Sequence, residues 1–451
     1  MTTRVTCCFI ACLIPALAAG QTAPVSAVPH LSLDGAIRIA IENNRQLQSA
    51  RLQVAKAEEQ IAATRTRRLP AFQLDVSAAQ LLTPVSFGFP AGAFGVFPAT
   101  GPIPTTDTTV EVPRQPTYYI SSSVTQPLTQ LFEIGLNIRN AAASRDIEQQ
   151  RLRGHELETA NSVKRLYFAI LQTQSALEAG DVAIALYREL DRTLDVRVAQ
   201  KVALQSDWMD VKVRLAEAEL AQVTRGHTLD SQKEQLNQLL GRDVTTIFDV
   251  EAVASAVAGL ERDLDVTRRR AIANRPDVRE AELLLQQAEI NHRILKVDRL
   301  PDVSLAVSYT TNVNMDILPS NMTTFGVRVT WEPFDWGRKS RERAASAHSI
   351  DQARLNVREL TDRSIVEVNG RYRTVSERRA ALAVALASQQ AAREKLRVTA
   401  NLYQAQAALL PDVMHVRAQL ADTDDRYQQS LLAFWTAQAD LEQALGEEVM
   451  R

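Results

Sequence analysis

The chain of 451 residues carries a net charge of −2, with 45% hydrophobic but only 5% aromatic residues. That balance gives no basic face for nucleic acid, and it favours closely packed helices rich in small apolar residues over a globular core filled with aromatic bulk. All the cysteines (Cys7, Cys8 and Cys12) lie near the start, so the remainder can hold neither a disulfide framework nor a thiolate metal site.

Residues 1–20 read as a secretory signal, with Arg4, an apolar run from Val5 to Leu17 broken by Pro15, and the small residues Ala16, Ala18, Ala19 and Gly20. The run is too short to span a membrane, and the very short stretch before Cys12 argues against lipidation there. Residues 21–32 read as a linker. From there the chain is written twice. Ala40-Ile41-Glu42-Asn43, leading to Arg68-Leu69-Pro70, returns as Ala271-Ile272-Ala273-Asn274, leading to Arg299-Leu300-Pro301, with no gap needed between the two matches. Further on, Ala203-Leu204 and Leu240-Gly241 return as Ala408-Leu409 and Leu445-Gly446, again at one shared offset. The repeats, 33–250 and 251–451, far exceed a solenoid unit of about 20–50 residues and favour a pseudo-symmetric ring.

Each repeat is expected to open with a helix and continue into a β-hairpin, at 71–128 and 302–332. In the first hairpin Phe72, Leu74 and Val76 alternate with Gln73, Asp75 and Ser77, and Tyr118, Ile120 and Val124 with Tyr119, Ser121 and Thr125. In the second, Val303, Leu305, Val307 and Tyr309 alternate with Ser304, Ala306, Ser308 and Thr310, and Phe325, Val327, Val329 and Trp331 with Gly326, Arg328 and Thr330. Period-two patterning over about ten residues suits membrane strands with the apolar set facing lipid. Two soluble hairpins would alternate in the same way. Charges interrupt every later apolar run, so membrane insertion would have to use strands. Between the first two strands, the Pro- and Gly-rich residues 81–116 read as a large loop.

Long helical hairpins are expected at 129–241 and 333–446. No proline occurs between Pro127 and Pro276 or between Pro333 and Pro411. A helix from about Glu133 to Lys201 would be about 100 Å long. Its seam runs through Leu166, Ile170, Thr173, Leu177, Gly180, Ile184, Tyr187, Asp191, Leu194 and Val198, with the polar members expected where the helix changes partners. Four strands leave edges that lipid cannot satisfy, so closure calls for several copies, and an aqueous lumen calls for three or more.

No motif for acyl transfer, zinc proteolysis or phosphate binding occurs, and the six histidines are scattered without ligand spacing. No enzyme, cofactor or metal site is expected. Asp207 and Asp412 follow the paired turns at Leu204 and Leu409. Their expected role is to cap the returning helices; a second is to form a collar of negative charge at the helical tips.

Taken together, Leu33-Asp34-Gly35-Ala36 with Ala40, Asn43 and Asn44, Ala271 to Val278, Arg299 to Val303, Trp331-Glu332-Pro333-Phe334-Asp335-Trp336-Gly337-Arg338 and the endings at Gly241 and Gly446 resemble the TolC-like outer-membrane efflux family, also called outer membrane factors. The resemblance spans the whole mature chain. It implies a mainly α chain with a small β part: antiparallel helical coiled coils plus four membrane strands, completing a twelve-stranded β-barrel and an α-barrel as a homotrimer. It also implies strand-to-helix junctions at Pro127, Pro333, Trp336 and Gly337. At the periplasmic tips, Val202, Ala203, Leu204, Asp207, Ala408, Leu409 and Asp412 would dock a periplasmic adaptor serving an inner-membrane transporter. The family's tip glycine is missing here. The function implied is an outer-membrane exit duct for small molecules, and the same duct would serve type I protein secretion. A periplasmic coiled-coil adaptor or scaffold is the alternative of another class, disfavoured by the paired hairpins and the lack of a Gly-rich lipoyl-like domain.

Overall fold

The computed structural model describes residues 29–253, 263–314 and 319–447. The signal segment and most of the expected linker lie outside them. The linker's end is ordered: β1 (His30–Leu31) pairs in parallel with β8 (Asp249–Val250), tying the start of the first repeat to its end.

The expected first helix is two helices. Ser32 caps α1 (Leu33–Asn43) by accepting the Gly35 N–H at 3.2 Å. Asn44 then breaks the run and caps α2 (Arg45–Thr66), its Oδ1 accepting the N–H groups of Gln46 and Leu47. β2 (Ala71–Gln80) follows, then a folded extension rather than an irregular loop: β3 (Val85–Phe89) pairs with β6 (Thr108–Val112), and β4 (Val96–Phe97) with β5 (Gly101–Pro102). β7 (Pro116–Pro127) leads into α3 (Gln130–Ala199), whose 70 residues give about 105 Å at about 1.5 Å each. α4 (Gln205–Leu239) returns alongside it.

The second repeat copies this order: α5 (Leu264–Asn274), α6 (Pro276–Val297), β9 (Asp302–Val313), β10 (Asn321–Thr330), the 67-residue α7 (Arg338–Gln404) and α8 (Leu410–Leu445). Matching helices agree in length, 11 residues for α1 and α5 and 22 for α2 and α6. The hairpin connections do not agree: 81–115 joins β2 to β7, whereas only 314–320 separates β9 from β10. That inequality accounts for the two different offsets of the sequence repeat.

Equivalent joints use different chemistry. Asn44 Nδ2 donates to the Leu239 carbonyl at 2.9 Å; in the second copy the Arg275 guanidinium donates to the Ala444 carbonyl at 3.3 Å. Two left-handed glycines lie against these joints. A Cβ on Gly241 (φ +70°) would collide with the Asn43 carbonyl, and one on Gly446 (φ +65°) would lie 2.8 Å from that of Asn274. Only glycine meets both demands, which explains why the Leu-Gly ending recurs.

Toward the sheet, α3 packs against α2 and α6; toward the far end it packs against α4, while α8 lies between α3 and α7. The main apolar cluster sits at the waist, where α1, α3, α4 and the β1–β8 pair meet around Tyr167, Phe248 and Leu240. Tyr167 is fully buried, its hydroxyl donating to the carbonyls of Leu31 and Glu251 at 2.8 Å each. Burial pushes that phenol up to about 12. Among the described residues no helix is long and apolar enough to cross a membrane.

Candidate functional site: the sheet, its junctions and the helical tips

The strands form one antiparallel sheet in the order β10-β9-β7-β2. Its register settles which side chains share a face, because residues directly opposite each other point the same way. Val307 stands opposite both Phe325 and Val124, Val124 opposite Phe72, Leu305 opposite Val327, Val303 opposite Val329, and Val76 opposite Ile120. Tyr309 continues the same set. The apolar residues of all four strands therefore form one continuous, exposed surface, on which Phe72 and Phe325 are 70% and 72% exposed. The opposite face carries Ser77, Ser121, Ser123, Ser304, Ser308 and Thr324, and is concave. A hollow of about 450 Å³ there is lined by Tyr119, Thr310, Asn312 and Met322 among others. Trp331 lies one position beyond β10 rather than within it, and is 60% exposed.

The two junctions are built differently. Pro127 is the last residue of β7, and Thr129 clamps the first junction to the second repeat. Its hydroxyl donates to the Pro301 carbonyl at 3.1 Å and accepts the Val303 N–H at 2.8 Å. In the second junction Pro333 and Phe334 precede a turn in which Trp336 (φ 56°) and Gly337 (φ 84°) are both left-handed. Asp335, part of the sequence motif but given no role there, organises that turn: its carboxylate accepts the Gly337 N–H at 3.0 Å and the Lys339 N–H at 2.9 Å. These backbone bonds, Lys339 first, hold its carboxyl below the usual range. Trp336 projects into the open, 90% exposed, with Phe334 edge-on at 4.8 Å.

At the far end both turns use the same geometry. Lys201 (φ 58°) and Gln406 (φ 57°) take the left-handed position at equivalent places in the two copies, and the Val202 and Ala407 N–H groups bond back to the Arg197 and Leu402 carbonyls at 2.9 and 2.8 Å. This is a Schellman closure made without glycine. Ala203 and Ala408 follow, and Leu204 and Leu409 cap the returning helices in extended conformation, 68% and 60% exposed. Asp412 accepts the Leu409 N–H at 2.9 Å, the expected capping bond. Asp207 instead accepts the Ser206 hydroxyl at 3.3 Å, and α4 starts without a side-chain cap. The polar seam positions mark no change of partner. Thr173 bonds Gln232 at 2.9 Å, and Asp191 accepts Trp208 Nε1 at 2.8 Å, both within the α3–α4 hairpin. Among the described residues no cluster of His, Cys, Asp and Glu could hold a metal ion.

The family model described as "Outer membrane efflux protein" matches residues 36–242 and 267–447, the two structural repeats almost end to end. The chain belongs to the outer membrane efflux protein family. Its place is therefore the outer membrane, with the helices extending into the periplasm. Several solved structures share the fold. CusC, described as forming a transmembrane channel, superposes with a TM-score of 0.71 at 17% identity, covering 92% of each chain. The Campylobacter jejuni CmeC outer membrane channel gives 0.73 at 15%, covering 92% of this chain and 85% of its own. VceC of Vibrio cholerae gives 0.71 at 15%, covering 93% and 97%. No curated protein matches the chain. At such identities the likeness concerns architecture.

Proposed function

We propose that three copies close into one duct, a twelve-stranded barrel in the outer membrane continued by a helical tunnel, which passively conducts small molecules delivered by an inner-membrane transporter and a periplasmic adaptor. The observation that carries this reading is the single apolar face running across all four strands, joined directly to helices of about 100 Å. Lipid accepts no open sheet edge, so β2 and β10 must be paired by neighbouring copies. Exposed apolar positions on α4 point the same way. Met209, Val213, Leu220 and Val223 follow coiled-coil spacing and are 48–68% exposed in the single chain. Under this reading Val303, Leu305, Val307, Tyr309, Phe325, Val327 and Val329 face acyl chains. Trp331 and Trp336 sit at the headgroup level. Val202, Ala203, Leu204, Asp207, Ala408, Leu409 and Asp412 form the surface offered to the adaptor. The test is native mass measurement on protein extracted from salt-washed outer membranes. A cyclic trimer is expected; a stable monomer, or protein lost to the wash, overturns the reading.

A further inference from the structure

The edge strands carry one charge each, and those charges support an inference that rests on the trimeric reading. Asp75 is the only charged residue of β2 and Arg328 the only one of β10; β7 has none, and β9 has Asp302 at its first position. Both lie on the concave polar face, Asp75 opposite Ser121 and Arg328 opposite Ser304. Among the described residues neither has an oppositely charged partner in its own chain; Asp75 accepts only a 3.2 Å bond from Gln73 Nε2. We propose that Asp75 of one copy pairs with Arg328 of the next, fixing the register of each seam in the closed ring.

The register of the sheet limits where the two can meet. Arg328 is opposite Ser304, Ser304 is opposite Pro127, and the β7–β2 ladder, which ends with Thr125 opposite Ala71, extends Pro127 to the level of Leu69. In a barrel the strands tilt by about 35–45°. With a rise of about 3.4 Å per residue and a strand spacing of about 4.8 Å, twelve strands accumulate a stagger of about 12–17 residues per circuit. Three equal copies share this as about four or six residues each, even numbers because an odd shift would exchange the two faces. The shift must run into β2, since the other direction would set β10 against helix α2. The smaller stagger aligns the ten residues of β10 with all ten of β2. It places Gln73 opposite Arg328, with Asp75 on the diagonal beside Gly326, where open space leaves room for the guanidinium. The larger stagger places Asp75 directly opposite Arg328. Both registers bring the charges within reach of each other. Pairing of two β2 or two β10 edges would bring like charges together, so the same pair disfavours same-edge contacts and favours head-to-tail rings.

The experiment joins Asp75→Cys and Arg328→Cys in one chain, treated in outer-membrane fractions with an oxidant or with a short bismaleimide that also spans the diagonal register. The native cysteines, at 7, 8 and 12, all lie in the segment read as the signal. The expected result is a covalent trimer on denaturing gels, absent from either single variant. Native mass of the unmodified protein runs in parallel. A trimer there without cross-linking overturns the pairing alone, whereas the absence of a trimer overturns the reading beneath it. In a second arm, Asp75→Arg should lower trimer yield several-fold, and adding Arg328→Asp should restore it. A swap that restores nothing would show that the two charges do not meet.

Discussion

Arg275 and Asp277 show how single residues set a joint that the backbone alone would leave loose. Burial by itself would raise the Asp277 carboxyl, but the bidentate Arg275 guanidinium, at 2.8 and 3.0 Å, holds it below its usual range. Arg275 also reaches Glu367 at 2.8 Å and so ties the start of α6 to α7. A carboxylate with a lowered folded pKa contributes its full stability above the ordinary Asp value of about 4, and loses it as pH falls through the folded value. With the Asp277 side chain 42% exposed, screening limits the effect to about 1 kcal/mol or less. Asp277→Asn should therefore melt earlier than the native chain at neutral pH, with the gap closing on acidification. Melting curves across that range check it, and a gap that persists in acid would refute the linkage. None of this is visible to a periodicity scan, which runs α1 and α2 together. The break depends on the capping oxygen of Asn44 in one copy and on Pro276 in the other, single residues inside an unbroken apolar rhythm.

Among the elements, strands are easier to read than the connection between them. Alternation places all four ladder strands because one face of each is mainly apolar, with only interruptions such as Ser122 and Thr323. The pattern in 81–116 also alternates, with Val85, Phe87 and Phe89 against Ser86 and Gly88, but the surrounding prolines and glycines obscure it. The lipid face has a direct check. Val307→Arg should cost about 2–4 kcal/mol of assembly near the bilayer midplane, whereas Ser308→Arg, one residue along on the polar face, should assemble normally. Yields of folded trimer measure both, and equal defects would remove the proposed orientation. Helical tips allow a similar comparison. Leu204 and Leu409 are exposed at turns already closed by backbone bonds, so their side chains are free for a partner. Leu204→Asp with Leu409→Asp should abolish export while trimer and barrel persist. Export and bilayer conductance measured together decide it; undiminished export would place the adaptor elsewhere.

At the scale of the whole molecule, duplication governs both what is legible and what is not. The two constant offsets reveal the architecture because helix lengths, joints and terminal glycines must match for the second copy to repeat the fold of the first. Independent features return in register: the α1 and α5 lengths, the Gly241 and Gly446 contacts, and the left-handed Lys201 and Gln406. The repeat does not foretell where the copies differ in chemistry, since Asn44 and Arg275 hold equivalent carbonyls by unrelated means. Nor does it foretell the junctions, where a Thr clamp stands in one copy and an Asp-capped turn in the other.

The additional residues of the first hairpin lie at the end of the sheet opposite the helices, because α2 and α3 both attach at the other end. They fold on their own ladder, without a place in the apolar face, the joints or the tips. Neither the apolar face, the joints nor the tips is built from this segment, so its exposed turns are places where inserted residues should leave the fold intact. The turn at Ala99 and Thr100 is exposed, and a foreign epitope inserted there should be displayed on a chain that still folds.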